Sequence, residues 1–545
     1  MNLWQRVTKR TFRCTSIFLG AWAFGMLGPV ETSMAGPPAA AAQNDAVVTT
    51  ELGPIAGTVT STHRTFFDIP YAAPPVGDRR WRSPQPAAAW TTLRDATVPG
   101  ARCPQLASPL SGPESLDEDC LHLNVTTPKV PPWSRPLPVM VWLHGGAWVG
   151  GAGRDYDAHR LAVRGNVIVV TVNYRLGIFG FFGHPELPDS GAFGLEDQQA
   201  ALRWVQRNIA AFGGDPRRVT LFGQSAGALS ACAQLTSPSA AGLFHRAGLE
   251  SGSCMMSWAK NGVDPGRPAG TPWKPMPEVH ALGASIATQL GCTGRTGADT
   301  VACLRGRPVA EVLAAGRSGR WSPAFGNRVL PVAPSRAVEE GRFHRMPILS
   351  GTNRDENTLF TAVFYDLARQ PISRSRYDEL LRDSFGDDAD RVRARYPLHA
   401  YSSPSLAWSA VTTDRGWVCP AWAGDKILAK RVPVYRYEFR DRDAPSTFGF
   451  PAPFPLGAFH TAELPYLFDW NKSAPFTPAQ RELSNAMIDY WSRFAATGHV
   501  NGWGLPRWFP LGQLGQVQFL APGPGGIHPD DFPSEHHCDF WSSLD

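Results

Sequence analysis

The sequence predicts an α/β protein whose mostly parallel central sheet carries helices on both faces and long insertions between its elements. Three observations lead there. Continuous, β-branched apolar segments alternate with helical ones between Val139 and Gly252. Strands of that kind are buried on both faces, which is the mark of parallel sheets built from βαβ units. The stretch "VTLFGQSAGALSA" (219–231) passes from strand to helix through one serine bracketed by glycines. The composition, 43% hydrophobic and 18% charged, is that of a globular chain with a large core.

Taken in order, "LPVMVWLH" and "NVIVVTVNYR" read as buried strands. "GLEDQQAALRWVQRNIAAFGGDP" reads as a helix, because Leu195, Ala201, Leu202, Val205 and Ile209 recur at about 3.6-residue intervals and Gly213-Gly214 ends the pattern. "RVTLFG" and "RAGLESGS" supply two more strands. After Cys254 the texture becomes irregular and rich in Gly and Pro, with later strands at "MPILSGTN" and "VPVYRYEF". A last strong helix runs from about Pro478 to Ala496, with Leu483, Met487, Tyr490, Trp491 and Phe494 on one face. No repeat and no linker divides the chain, so residues 43–545 are expected to form one domain.

The N-terminus reads as an export signal. Arg6, Lys9, Arg10 and Arg13 precede an apolar run from Ile17 to Val30, and Ser33 and Ala35 are small residues before a cut. That run is too short to span a bilayer comfortably, so residues 1–35, or up to about 42 with the Ala/Pro-rich leader, are expected to be removed rather than to anchor the chain. "TKRTFR" loosely resembles a twin-arginine signal, so Sec and Tat export both stay open. The expected location is secreted or periplasmic. The net charge of +5 is small for 545 residues, and no basic tract interleaved with aromatics appears, so nucleic acid is not an expected partner.

Nine cysteines are present and Cys14 falls in the leader. In an exported protein the others are expected to form disulfides. Spacing makes Cys103–Cys120 and Cys292–Cys303 plausible local pairs but does not fix the connectivity. "EHHC" (535–538) offers metal-ligating residue types, but neighbours in sequence are not convergent ligands, so no metal is expected there.

The serine at 225 raises the chemical question. A nucleophile on a tight, strained turn needs neighbours almost without side chains, and Gly223 and Gly227 meet that demand, while small Ala226 and Ala228 let the helix approach the sheet. A serine hydroxyl also needs a base, and the base needs an orienting acid. Asp355 and Glu356 follow directly on a strand in "ILSGTNRDENTLF". His460 lies later, in the aromatic loop "LGAFHTAELPYLF", whereas His399, His499 and His528 have the surroundings of surface loops and His536 and His537 lie at the tail. The turn in "VWLHGGAWVGG" offers the backbone N–H groups of Gly146 and Ala147, joined by that of Ala226, as donors to a developing oxyanion.

These residues resemble the type-B carboxylesterases, the cholinesterase-like α/β-hydrolases. The resemblance runs from "LGPIAGTV" to "CDFW" and includes, in family order, "FFDIPYAAPPVGDRRWRSPQP", "DEDCLHLNV", "NYRLGIFGFF", "LFGQSAG", "GLFHRAGLESGS", "SGTNRDEN" and "FHTAELPYLF". It implies the α/β-hydrolase fold and a serine esterase with Ser225 as nucleophile, Glu356 as acid and His460 as base. Gly146, Ala147 and Ala226 would form the oxyanion hole, and Ser251 would support the triad from behind. It implies disulfides Cys103–Cys120, Cys292–Cys303 and Cys419–Cys538, with Cys232 and Cys254 either free or forming an extra bridge. It implies a small-molecule ester as partner and no metal or organic cofactor.

The sequence departs from the family pattern at Asn357 and Thr461, where glycine is usual, and at Ala147, where a third glycine is frequent. Asn357 is expected to keep the turn because asparagine tolerates left-handed backbone. Cholinesterases bind a quaternary ammonium on a tryptophan in the first disulfide loop, but "CPQLASPLSGPESLDEDC" has no aromatic residue, and Gln224 replaces their glutamate. Choline esters are therefore poor candidates. A general carboxylic ester is expected, with Trp148, Trp321, Phe325 and Phe448 as candidate pocket walls. Alternatives are a specialised esterase for a polycarboxylate, aromatic or polymeric ester, or a lipase. The arginine excess suits an anionic ester, but the sequence locates no arginine pocket. A non-catalytic binding protein, like the neuroligins of the same family, fits poorly because all three triad positions are filled.

Overall fold

Leu137–Leu143 and Ile168–Val172 are buried along their whole length, as continuous apolar strands require when both faces of a sheet are covered. The computed structural model describes residues 45–545, apart from positions 111, 132, 188, 294–295, 470–473, 515 and 545. The expected leader, residues 1–42, lies outside the described residues.

Among the described residues the main sheet has eleven strands. In chain order they are β1 (Thr58–Val59), β2 (His63–Pro70), β3 (His122–Pro128), β4 (Leu137–Leu143), β5 (Ile168–Val172) and β6 (Gly214–Gln224). They continue as β7 (Arg246–Glu250), β8 (Ile348–Asn353), β9 (Val434–Phe439), β10 (Val517–Leu520) and β11 (Ile527–Asp530). Their spatial order is β11-β10-β9-β8-β7-β6-β4-β5-β3-β2-β1. The seven strands from β10 through β5 are parallel. β1, β2 and β3 at one margin, and β11 at the other, are antiparallel to their neighbours. These marginal strands gave no signal in sequence because they are short or mix polar and apolar residues without a clear period.

The helices that cover the sheet follow their local chemistry. α1 (Phe193–Asn208) tightens into a 3-10 turn at Ile209–Phe212 and stops where Gly213 takes φ 92°. α2 (Ala226–Thr236) starts directly after β6 and is buried throughout. α3 (Pro478–Thr497) begins with a capping box between Thr477 and Gln480 and ends at left-handed Gly498. Pairing aligns Leu143 with Gly223, Gly223 with Leu249, Gln224 with Glu250 and Glu250 with Gly351. The carboxyl ends of β4, β6, β7 and β8 therefore lie side by side, the place where parallel α/β sheets present their sites.

Four disulfides join Cys103 to Cys120, Cys232 to Cys254, Cys292 to Cys303 and Cys419 to Cys538. Cys232 and Cys254, left open by the sequence, are thus bridged, which ties α2 to the segment after β7. No helix among the described residues is long and apolar enough to cross a membrane.

The "EHHC" residues are used in packing. Cys538 is in a disulfide, and buried His536 sits between Asp414, 2.6 Å from its Nδ1, and Glu438, which contacts its Nε2. Burial opposes the imidazolium, but the Glu438 and Asp414 carboxylates outweigh it and raise His536 to about 10. Tyr396 donates to the other oxygen of Asp414 and is itself a partner of Trp541, so the C-terminal helix hangs on this charged node. His536→Ala removes the cation that buried Asp414 and Glu438 share, leaving Glu438 its contact with Arg440, and is expected to cost about 3–5 kcal/mol at pH 6. Because the raised pKa adds stability that is full below about 6.5 and fades towards 10, the cost should shrink at pH 10. Urea unfolding at the two pH values measures it.

Candidate active site

The turn between β6 and α2 is sterically forced. A β-carbon on Gly227 would overlap the carbonyl oxygen of Leu143, and one on Gly223 would lie 2.6 Å from the same oxygen. Only glycine lets the strand end, the following helix and the end of β4 meet this closely. Ser225, at the apex, has φ 56° and ψ −124°, a conformation costly for a residue with a side chain. It is held there by its N–H donating to Glu250 O at 2.9 Å and by Leu229 N–H donating to its carbonyl at 2.9 Å.

The turn after β4 is strained as well. Gly146, Ala147 and Trp148 are consecutive left-handed residues with φ 100°, 53° and 59°. The loop is closed by Val149 N–H donating to Gly146 O at 2.9 Å, and the Trp148 indole donates to Ser230 Oγ at 2.8 Å. Among the described residues, the N–H groups of Gly146, Ala147 and Ala226 donate to no protein acceptor. All three residues line the same cavity as Ser225. Preceding them, buried His144 donates from Nδ1 to Gly145 O at 2.8 Å, and burial lowers it to about 4, so it stays neutral.

Glu356 and His460 meet at the end of β8. Glu356 Oε2 accepts from His460 Nδ1 at 2.6 Å, and both residues are buried. The other Glu356 oxygen accepts from Asn353 N–H at 2.7 Å. With Nδ1–H donating to Glu356, the imidazole carries its lone pair on Nε2, which faces the Gln224 amide at 3.3 Å. Asp355 turns elsewhere: it takes Arg442 and the Ala458 N–H, while its own N–H donates to Ala458 O. Asp355 thus laces the His460 loop to β8 without touching the imidazole.

Ser225, His460, Gly146, Ala147 and Ala226 open on one cavity of about 610 Å³. Trp148, Trp321 and Phe448 also line it, but Phe325 does not: it lies in a two-residue strand beside Lys274–Pro275 and packs on the core. The expected use of Asn357 is also corrected. Its φ is −84°, right-handed, because its side chain is held as acceptor of the Trp417 indole at 3.2 Å and its N–H donates to Thr413 Oγ1. Thr461 takes the left-handed conformation instead, with φ 84°. Ser251 is buried, but among the described residues its hydroxyl makes no hydrogen bond, so the structure does not join it to Glu356.

The sequence did not point to the rings against His460. Trp417 lies 4.6 Å and Phe360 4.9 Å from the imidazole, centroid to centroid. Phe360 could have been found, since it stands one helical turn after Glu356; nothing local marks Trp417. Two further carboxyls are buried beneath the pair. Glu250 is raised to about 8 by burial, against the hydrogen bond from Trp491 Nε1 at 2.6 Å. Glu463 is pushed well up by burial and by the charges of Glu356 and Glu250, and it accepts from Asn353 Nδ2.

A mostly parallel sheet, a serine on a strand-to-helix turn and an acid–imidazole pair two strands away at the same edge of the sheet define an α/β-hydrolase. Residues 44–541 match the model of the carboxylesterase family, and the chain belongs to that family. It is a carboxylic ester hydrolase. Its relatives include a para-nitrobenzyl esterase of Bacillus subtilis, 34% identical over 83% of this chain and 90% of that protein. An acylcarnitine hydrolase of Mus musculus and a cocaine esterase of Homo sapiens are each 34% identical over 82% of this chain and 81% of theirs. A solved thermophilic PNB esterase superposes with TM-score 0.74 at 32% identity, covering 91% of this chain and all of that one.

Glu250 yields a prediction independent of activity. Its folded state keeps a proton that the unfolded chain releases at about 4.5, so this group costs stability as pH rises from about 4.5 to about 8. Glu250→Gln keeps the acceptor for Trp491 and removes the titration. The gain in Tm over wild type should be larger at pH 8.5 than at pH 5 by calorimetry; an equal gain at both would contradict the assignment.

Proposed function

We propose that the chain is an exported serine carboxylesterase acting through a covalent acyl-enzyme, with Ser225 as nucleophile, His460 as base and Glu356 as acid. The reading rests above all on the Glu356–His460 pair facing the same cavity as the strained Ser225. His460 Nε2 takes the proton from Ser225 as its Oγ attacks the ester carbonyl. Glu356 holds the tautomer and stabilises the imidazolium. The N–H groups of Gly146, Ala147 and Ala226 receive the oxyanion, a contribution of about 3–4 kcal/mol for a donor of this kind. The alcohol leaves with the proton from His460, and water deacylates Ser225 by the same route. Every group these steps use belongs to the chain, so the reaction calls for no metal or organic cofactor.

Export is supported by the charged and apolar N-terminal segment and by four disulfides, which persist in oxidising compartments. In this reading residues 1–35, or up to about 42, form the leader and 43–545 one hydrolase domain. The aromatic cavity suits esters with apolar portions, and the choline esters stay disfavoured by Gln224 and by the first disulfide loop.

On 4-nitrophenyl butyrate, Ser225→Ala is expected to lower kcat about a million-fold. Glu356→Gln should lower it about ten-thousand-fold by releasing the imidazole to the wrong tautomer. Asp355→Asn should lose far less, because Asp355 only braces the loop. A Ser225→Ala protein with full turnover, or a dead Asp355→Asn beside an active Glu356→Gln, would overturn the assignment.

A further inference from the structure

The cavity that holds Ser225 has a second, charged end. Asp264, Arg267, Arg320, Lys274 and Glu278 line it together with the serine and His460. Lys274 and Glu278 pair with each other at 2.5 Å. Arg267 and Arg320, in contrast, share one carboxylate. Arg267 Nη1 donates to Asp264 at 3.2 Å, and Arg320 Nη1 donates to its two oxygens at 3.1 and 3.0 Å. Three cations face two carboxylates, so one positive charge is in excess in this lining. Among the described residues, Nε and Nη2 of both arginines donate to no protein acceptor.

This end is connected to the reacting groups by an aromatic wall. The rings run from His460 to Trp417 at 4.6 Å and from Trp417 to Trp258 at 5.6 Å. The Arg267 guanidinium lies 4.9 Å from the centre of Trp258. The loop that carries Arg267 is fixed before any ligand arrives. Trp258 and Gly270 exchange backbone hydrogen bonds at 2.9 and 3.0 Å, Asn261 N–H donates to Arg267 O, and Cys254 at its base is bonded to Cys232 on α2. The arginines are partly exposed, at 26% and 39%, so a solute can reach their free edges.

We propose that this end of the cavity binds a carboxylate carried by the substrate at a distance from the reacting ester, with Arg267 and Arg320 as specificity-determining residues. The substrate class is an ester with an apolar spacer lying along Trp417 and Trp258 and a terminal carboxylate beyond it, such as the half-ester of a dicarboxylic acid. A guanidinium edge presents parallel donors that match a carboxylate, and an incoming anion balances the excess charge left by Asp264. This proposal rests on the serine esterase reading above.

The test compares kcat/KM for matched esters that differ only in a terminal carboxylate or its neutral carboxamide. One series uses the 4-nitrophenyl ester of adipic acid, with the carboxylate on the acyl side. The other uses butyrate esters of phenols with the carboxylate on the alcohol side. In at least one series the carboxylate should be preferred about tenfold or more at low salt, with the preference falling as salt rises. Arg320→Gln and Arg267→Gln should each bring the ratio towards one. Asp264→Asn, which releases both arginines, should raise it. Neutral esters turned over with no carboxylate preference in either series, or a preference that both arginine variants keep, overturns the proposal and leaves the esterase reading standing. Turnover of all esters no faster than in Ser225→Ala overturns both.

Discussion

The site depends on one close contact: the carbonyl end of β4 against the glycines on either side of Ser225. Leu143 O sits where a β-carbon of Gly227 would be and is 2.6 Å from that of Gly223. Because the two strands pair in register there, the turn after β4 and the turn after β6 are pressed together. That proximity puts the N–H groups of Gly146, Ala147 and Ala226 on the cavity that holds the serine. A larger residue at either glycine would push α2 away from β4 and separate the two turns. The strain at Ser225, Ala147 and Trp148 is retained because the surrounding sheet and helix leave no room to relax it.

Burial sorts the ionisable groups around this contact. Glu250 and Glu463 have few compensating donors and are driven towards the neutral form, which removes like charge from beneath Glu356. His536, equally buried, meets two carboxylates and is driven the opposite way. The same desolvation therefore gives neutral acids beneath Glu356 and a cation at the C-terminal anchor, according to the partners at hand. The Cys232–Cys254 bridge extends the order outwards, since it ties the helix after the serine to the loop that carries Trp258 and Arg267.

The parts of the molecule legible in the sequence are those whose cause is local. Val139 to Gly252 showed its strands and α1 because apolar periodicity is a property of the segment itself. Ser225 and the turn at Gly146 stood out because small residues at fixed spacing are what a tight turn needs. The marginal antiparallel strands were hidden because pairing with neighbours, more than side-chain pattern, makes them strands. Asn357 shows the limit of a local argument: its place in the turn suggested left-handed backbone, yet a distant indole and Thr413 hold it right-handed, and the left-handed residue is Thr461.

By itself the sequence determined the fold class, the candidate nucleophile and the short list of its partners, since each is written in residues close together along the chain. Position after a strand left Asp355 and Glu356 both open and only the resemblance singled out Glu356; the tertiary structure supplies the physical reason, since Glu356 meets His460 while Arg442 and Ala458 claim Asp355. It also brought Trp417 against His460, joined Cys232 to Cys254, and gathered Arg267, Arg320 and Asp264 at the end of the same cavity. Those contacts link residues that share no period or motif. They exist because the sheet places the ends of separate strands, and the loops that leave them, at one edge.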